Sequence, residues 1–275
     1  MAIITISREM GSVSQEHIKW ISDSLGMVFI GKEAINERME AKGVSSEMFR
    51  QYDEKKPGFI YTLFHGEPDY YLECLKTILY EEVREGNRVL IGRGTNFIFS
   101  DIANCLRVKI VASEETKVAN LCEWEGFSEA TARELIKRSD KERAGYCLFH
   151  FNRDWYAHHE YDLVMNASRL SLNKMLSTLK ATLEIYSTPE REAHGLKVLR
   201  DRALARQVGE AIVLKERLDI RFLEIDCDDG CVILRGLAMS PSVHNRAERI
   251  VSKLSGVRVV ENNLKIITHA IPRRR

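Results

Sequence analysis

The sequence predicts a three-layer α/β domain built on a parallel sheet, followed by a small α+β module with the order αββαβ. Three observations carry this. The apolar opening run Ile3-Ile4-Thr5-Ile6 breaks at Gly11-Ser12 and gives way to a helical pattern ending near Leu25-Gly26. Further short apolar runs at 89–91, 106–111 and 161–166 alternate with helical patterns, and such alternation implies parallel strands covered on both faces. After Ser187-Thr188-Pro189 the pattern changes to period-two alternation around Asp228-Asp229-Gly230, the mark of a hairpin.

In order, Met27-Val28-Phe29-Ile30 is a short extended run followed by Gly31-Lys32, and 34–42 is a charged helix. The stretch 53–69, with Pro57, Pro68 and several aromatics, reads as a lid-like loop. Leu72, Leu75, Ile78, Leu79 and Val83 have the spacing of an amphipathic helix over 70–85, which Gly86-Asn87 stops. A buried-type strand then runs into Gly92-Arg93-Gly94. Residues 114–125 are helical, Ser128 caps the next helix, and 172–186 forms a long helix with apolar positions 172, 175, 176, 179 and 183. In the second module a helix at 203–214 precedes strands 223–227 and 232–236, a helix at 242–254 and a closing strand at 257–267. The expected boundaries are a first domain 1–187, a linker 188–200, a second domain 201–268 and a basic tail 269–275.

A chain of 275 residues has room for two domains of ordinary size. The balance of 44% hydrophobic and 29% charged residues is that of a soluble protein, and a net charge of +1 argues against a general nucleic-acid coat. No apolar run reaches the roughly 18–20 residues needed to span a bilayer, and the N-terminus lacks a leader pattern, so the cytoplasm is the expected compartment. The six cysteines are scattered without CxxC pairs and are expected to be reduced. His150, His158 and His159 lack partners at ligand spacing, so no metal site is expected.

The opening strand, glycine turn and helix form the layout of a phosphate-binding loop, whose backbone N–H groups point at an anion. Ser7, Gly11, Ser12, Val13 and Ser14 are the candidate phosphate-binding residues. The full motif G-x-x-x-x-G-K-[ST] is absent, because no lysine follows. Arg8, at the strand end, is a candidate substitute cation or else a surface residue paired with Glu9. Gly92, Arg93 and Gly94 sit at the C-terminal end of a strand, where open α/β sheets bind ligands. A loop-bridging role is the alternative for Arg93. Arg138, Lys141 and Arg143 lie on one helix, either as a basic lid or as a solvated face balanced by Glu134, Asp140 and Glu142. Arg153-Asp154-Trp155 is a weaker extension of that lid.

Four stretches resemble the cytidylate kinase-like family of P-loop nucleoside monophosphate kinases. They are Ile3-Ile4-Thr5-Ile6-Ser7-Arg8-Glu9-Met10-Gly11-Ser12; Val89-Leu90-Ile91-Gly92-Arg93-Gly94-Thr95-Asn96 with the strand at 106–112; Ser139-Asp140-Lys141-Glu142-Arg143-Ala144-Gly145-Tyr146; and Tyr161-Asp162-Leu163-Val164-Met165-Asn166. The resemblance implies a P-loop kinase-like fold over 1 to about 185 and phosphoryl transfer from ATP to a pyrimidine nucleoside monophosphate such as CMP. It also implies that Arg93 holds the acceptor phosphate and that Arg138, Lys141 and Arg143 close as a basic lid over the phosphates. Mg²⁺ would be held largely by nucleotide and water, since no acidic residue ends the strand at 89–91. The family loop is richer in glycine and is followed by arginine, whereas this chain has Gly11-Ser12-Val13-Ser14-Gln15. The alternative is therefore a non-catalytic nucleotide or anion sensor.

Asp229-Gly230-Cys231-Val232-Ile233-Leu234-Arg235-Gly236 and Gly256-Val257-Arg258-Val259-Val260-Glu261-Asn262-Asn263-Leu264 resemble a BON domain. That resemblance implies a protein or phospholipid partner. The predicted helices lack the broad basic face and large aromatics of a membrane-surface helix, which weighs against the phospholipid.

Overall fold

Ile3–Arg8 forms β1, an isoleucine-rich strand buried along its length apart from its last residue. It is the middle of a sheet completed by β2 (Val28–Ile30), β3 (Arg88–Ile91), β4 (Cys105–Val111) and β5 (Leu163–Asn166). The order is β2-β3-β1-β4-β5 and every pairing is parallel. Near-continuous apolar runs are what strands covered on both faces require. The computed structural model describes residues 2–41, 67–84 and 86–267. Most of the lid-like stretch 53–69, the expected end of the second helix at Lys42 and the basic tail 269–275 lie outside the described residues.

Among the described residues, the α-helices of this unit are α1 (Gln15–Ser24), α2 (Lys32–Ala41), α3 (Glu67–Arg84), α4 (Thr95–Ile98), α5 (Glu114–Glu125), α6 (Glu129–Phe151) and α7 (Leu172–Tyr186). Ile18 and Ile21 of α1 and Met175 and Leu179 of α7 bury against Ile4, Ile6, Val108 and Ile110 of the sheet. The α3 stripe Leu75, Ile78, Leu79 and Val83 is buried, as its spacing predicts. Ser128 caps α6, its side chain accepting from the Thr131 amide at 3.2 Å. The short helix α4 was not expected from the sequence; it follows three consecutive left-handed residues that turn the chain sharply off β3.

The chain divides into two compact units at Gly195/Leu196, inside a helix, α8 (Pro189–Gly209). The stretch 188–200, read from sequence as a linker, is therefore mostly helical. Pro189 opens the helix, because a first-turn proline has no amide that needs a partner. A π-helical turn, Glu210–Lys215, follows. Then come β6 (Ile220–Asp228), β7 (Cys231–Ala238), α9 (Pro241–Val251) and β8 (Val259–Ile266). β6 and β7 are antiparallel and β8 joins β7 in parallel, giving the expected αββαβ order. Leu204, Val208, Ile212, Val232, Leu234, Val251 and Leu264 form its core.

The β6–β7 turn places Asp229 and Gly230 at φ of +46° and +79°, as a two-residue hairpin of the primed type demands. A bulge between Arg221 and Glu224 holds Phe222 at φ +51° with 81% of its surface exposed. All six cysteines are free thiols, and burial pushes the Cys227 thiol up to about 12. Among the described residues, no helix is long and apolar enough to cross a membrane.

Candidate phosphate-binding cleft

The chain leaves β1 toward one side of the sheet and returns from β3 to β4 on the other, so a crevice opens at the C-terminal ends of these strands. A cleft of about 120 Å³ lies there, lined by Ser7, Arg8, Gln15, Lys32, Arg93 and Arg143 among others. It gathers four cationic side chains, Arg8, Lys32, Arg93 and Arg143, and no carboxylate stands among its described lining residues.

Arg93 is placed by backbone geometry. Gly92, Arg93 and Gly94 have φ of +73°, +53° and +67°, conformations that glycine adopts freely and arginine rarely. A Cβ at Gly94 would lie 2.2 Å from the Phe151 ring, so bulk is excluded there as well. The turn leaves Arg93 only 2% exposed, with its guanidinium donating to the Asn36 side chain on α2. Strain of this kind at a non-glycine residue clusters at ligand sites. Beside it, Asn96 is buried, and its Nδ2 has no hydrogen-bond partner among the described residues.

The loop from Glu9 to Ser14 is organised differently from a phosphate cradle. The Glu9 amide donates to the Ile110 carbonyl at 3.0 Å and the Ser12 amide to the Glu9 carbonyl at 3.1 Å. The Met10 amide donates to Asp140 Oδ1 at 3.0 Å, and the Ser14 amide to His17 Nδ1 at 3.3 Å. The Ser14 hydroxyl in turn accepts from the His17 amide at 3.2 Å, closing a capping box. Four loop amides are thus engaged within the protein. The Ser12 hydroxyl donates to the Glu9 carbonyl at 2.8 Å. Arg8 donates its guanidinium to the Val13 carbonyl.

Helices α5 and α6 fasten the loop from outside. Asn120 Nδ2 donates to the Gly11 carbonyl at 2.9 Å, and a Cβ at Gly11 would lie 2.7 Å from the Lys117 carbonyl. Lys117 Nζ lies 3.1 Å from Glu9 and 3.5 Å from Asp140, and Arg143 lies 3.2 Å from Asp140. Glu9 and Asp140 are therefore occupied with cations. Among the described residues, no cluster of three His, Cys, Asp or Glu side chains could hold a metal. The ATP and Mg²⁺ implied by resemblance would meet a loop in which four amides are already engaged and the nearest carboxylates are paired.

The expected lid is split. Arg143 lines the cleft, whereas Arg138 and Lys141 line a separate groove with Leu148 and Arg153. With about 100° between successive helical residues, Lys141 and Arg143 face nearly opposite ways. Of the extension, Trp155 alone reaches the cleft, where its Nε1 donates to Ser7 Oγ at 2.7 Å. Gly11, Ser12, Val13 and Ser14, proposed from sequence as phosphate donors, do not line it.

Sequence reasoning passed over Lys32, Gln15, Asn96, Tyr146 and Cys147 as cleft residues. Lys32 had a signal, the Gly31-Lys32 pair after a strand; Gln15, Asn96 and Tyr146 lay in or beside stretches that resemble the family, and Cys147 had none. It also passed over Lys109 on β4, 1% exposed, which pairs in register with Ser7. Its Nζ donates to the Trp155 carbonyl at 2.6 Å, and Tyr161 donates to the same carbonyl at 2.8 Å. The ammonium lies 3.9 Å from the Trp155 ring centroid, 5.3 Å from that of Tyr156 and 5.0 Å from that of Tyr161.

A parallel sheet with a glycine turn after its central strand and a basic crevice at its C-terminal edge defines a kinase-like α/β protein. The chain belongs to the cytidylate kinase-like family, which matches residues 3–169, and residues 200–268 match the BON domain. Among solved structures it is similar to an uncharacterized protein from Eubacterium ventriosum, at 23% identity and TM-score 0.53, covering 66% of this chain and 98% of that one. A shikimate kinase from Bacteroides thetaiotaomicron matches at 16% identity and TM-score 0.41, covering 66% of this chain and 98% of that one. No curated protein matches the chain.

Proposed function

We propose that the cleft binds the phosphate group of a nucleoside monophosphate, and that this chain is a ligand-sensing rather than a phosphoryl-transferring member of its family. One observation carries the reading: the amides of Glu9, Met10, Ser12 and Ser14 are engaged within the protein, while the cations gather in the neighbouring cleft. Phosphoryl transfer depends on donors and a metal arrayed around a triphosphate. The cleft instead offers guanidinium groups, which suit the planar, bidentate capture of a phosphate monoester. Its volume of about 120 Å³ accepts a phosphate group and falls below the roughly 300–1,000 Å³ of pockets that enclose whole ligands. The BON domain serves on this reading as the module that engages a protein partner.

A second reading, phosphoryl transfer to CMP, is favoured by the convergence of Arg8, Arg93 and Arg143 on one cleft. Incubating the protein with ATP, Mg²⁺ and each nucleoside monophosphate separates the two. Sensing predicts that CMP or a related monophosphate raises the melting temperature and that no nucleoside diphosphate forms. Diphosphate formation above a no-enzyme control would reject sensing in favour of transfer.

A further inference from the structure

We propose that Lys109 is the positioning residue of this cleft: its ammonium fixes the Trp155 carbonyl, and through it the indole that holds Ser7, while keeping a positive charge behind the phosphate. The inference rests on the phosphate-binding reading and assigns a role to a residue outside the cleft lining.

The argument begins with cost. Burying an ammonium is unfavourable unless it is paired or well bonded, and a leucine or methionine would fill a strand position between covered faces without that penalty. Here Lys109 is buried, and among the described residues no carboxylate is in direct contact with it. Its partners are one carbonyl and three aromatic faces. The titratable and charged groups around it are Glu9 from the loop, Asp140 and Cys147 from α6, and Asp154, Tyr156 and Tyr161 from the segment after α6. Glu9 and Asp140 are both held by Lys117.

Contacts lead directly from Lys109 to the cleft. The ammonium holds the Trp155 backbone, Trp155 Nε1 holds Ser7 Oγ, and Ser7 and Trp155 both line the cleft. Burial lowers the Lys109 pKa from its ordinary value, so its charge is lost at lower pH than that of a solvated lysine.

The test uses the full-length protein, CMP as probe and titration calorimetry. Lys109→Met keeps the length and apolar stem of the side chain but removes the charge. The expected result is a loss of about tenfold in CMP affinity, since truncating a buried charge acts directly on its partners. Trp155 emission should shift as well, assigned by difference against Trp155→Phe. As pH rises toward the ordinary lysine value of about 10.4, the wild-type affinity should fall more steeply than that of the variant. The cleft-lining residues are the same in both proteins, so the difference belongs to Lys109.

Tyr161→Phe provides a second variant that leaves the buried charge untouched. It removes the other donor to the Trp155 carbonyl and should weaken CMP by about threefold, the value of one net hydrogen bond. Binding and pH profile that survive Lys109→Met unchanged, or Tyr161→Phe unchanged should Lys109→Met fail to fold, overturn the role of Lys109 alone. Wild-type protein that ignores every nucleoside monophosphate overturns the phosphate reading, and this inference with it.

Discussion

Arg8 donates its guanidinium to the carbonyl of Val13, five residues further along the chain, so a cation closes the loop from the cleft side. The strand-end arginine thus does two things: it pins a peptide group and it lines the cleft. Arg8→Ala removes both. CMP affinity should fall by about tenfold, and the unpartnered Val13 carbonyl should cost about 1–3 kcal/mol of stability, read by calorimetry and by urea denaturation. The variant should gain no ATP turnover.

The split of the basic helix makes a sharper prediction. Arg143→Ala should weaken CMP by about tenfold, because its side chain lines the cleft beside Arg93. The double variant Arg138→Ala, Lys141→Ala should stay within about twofold of wild type, since distant exposed charges are screened by salt. Equal losses in both would restore a lid in which all three residues act together.

Gly11 is required by two independent features, a φ of +79° and the approach of the Lys117 carbonyl to 2.7 Å of an added Cβ. Gly11→Ala should therefore destabilise the α/β unit by about 2–4 kcal/mol, combining left-handed strain with overpacking against backbone. Urea denaturation followed by circular dichroism measures it. A change below about 0.5 kcal/mol would mean that α5 moves away freely.

At the β4–β5 junction, burial alone would raise the Asp162 carboxyl, but bonds from the Arg107 side chain and amide outweigh it and hold the carboxyl below its ordinary value. The sign follows from linkage. A depressed folded-state pKa gives stability that is fully present above the unfolded value of about 3.9 and is lost as pH falls through the folded one. The stability gap between wild type and Asp162→Asn should be constant from neutral pH down to about pH 5 and shrink below about pH 4. A gap independent of pH would remove Asp162 from the acid response.

Both sheets were legible in the sequence because burial on both faces or one face writes itself into apolar spacing. The run at 3–6, the helix over 172–186 and the hairpin around Asp229-Gly230 all fell where the patterns put them. Arg93 was legible because two glycines flanked it at a strand end. The fate of the loop was not legible. Whether the Met10 amide faces an anion or Asp140, 130 residues away, depends on tertiary packing that no local pattern records. Lys109 was hidden for a related reason, since a lysine inside an apolar strand looks like an outward-facing residue until Trp155, Tyr156 and Tyr161 close around it.

The self-bonded loop has a consequence in time. Amides already bonded within the fold exchange with deuterium only when the surrounding structure opens, however much ligand is present. Those of Glu9, Met10, Ser12 and Ser14 should therefore exchange slowly even without nucleotide, while amides around Arg93 become slow only on binding. A segment with the outline of a catalytic loop would then be among the stillest parts of the molecule, and the response to ligand would begin on the other side of the cleft.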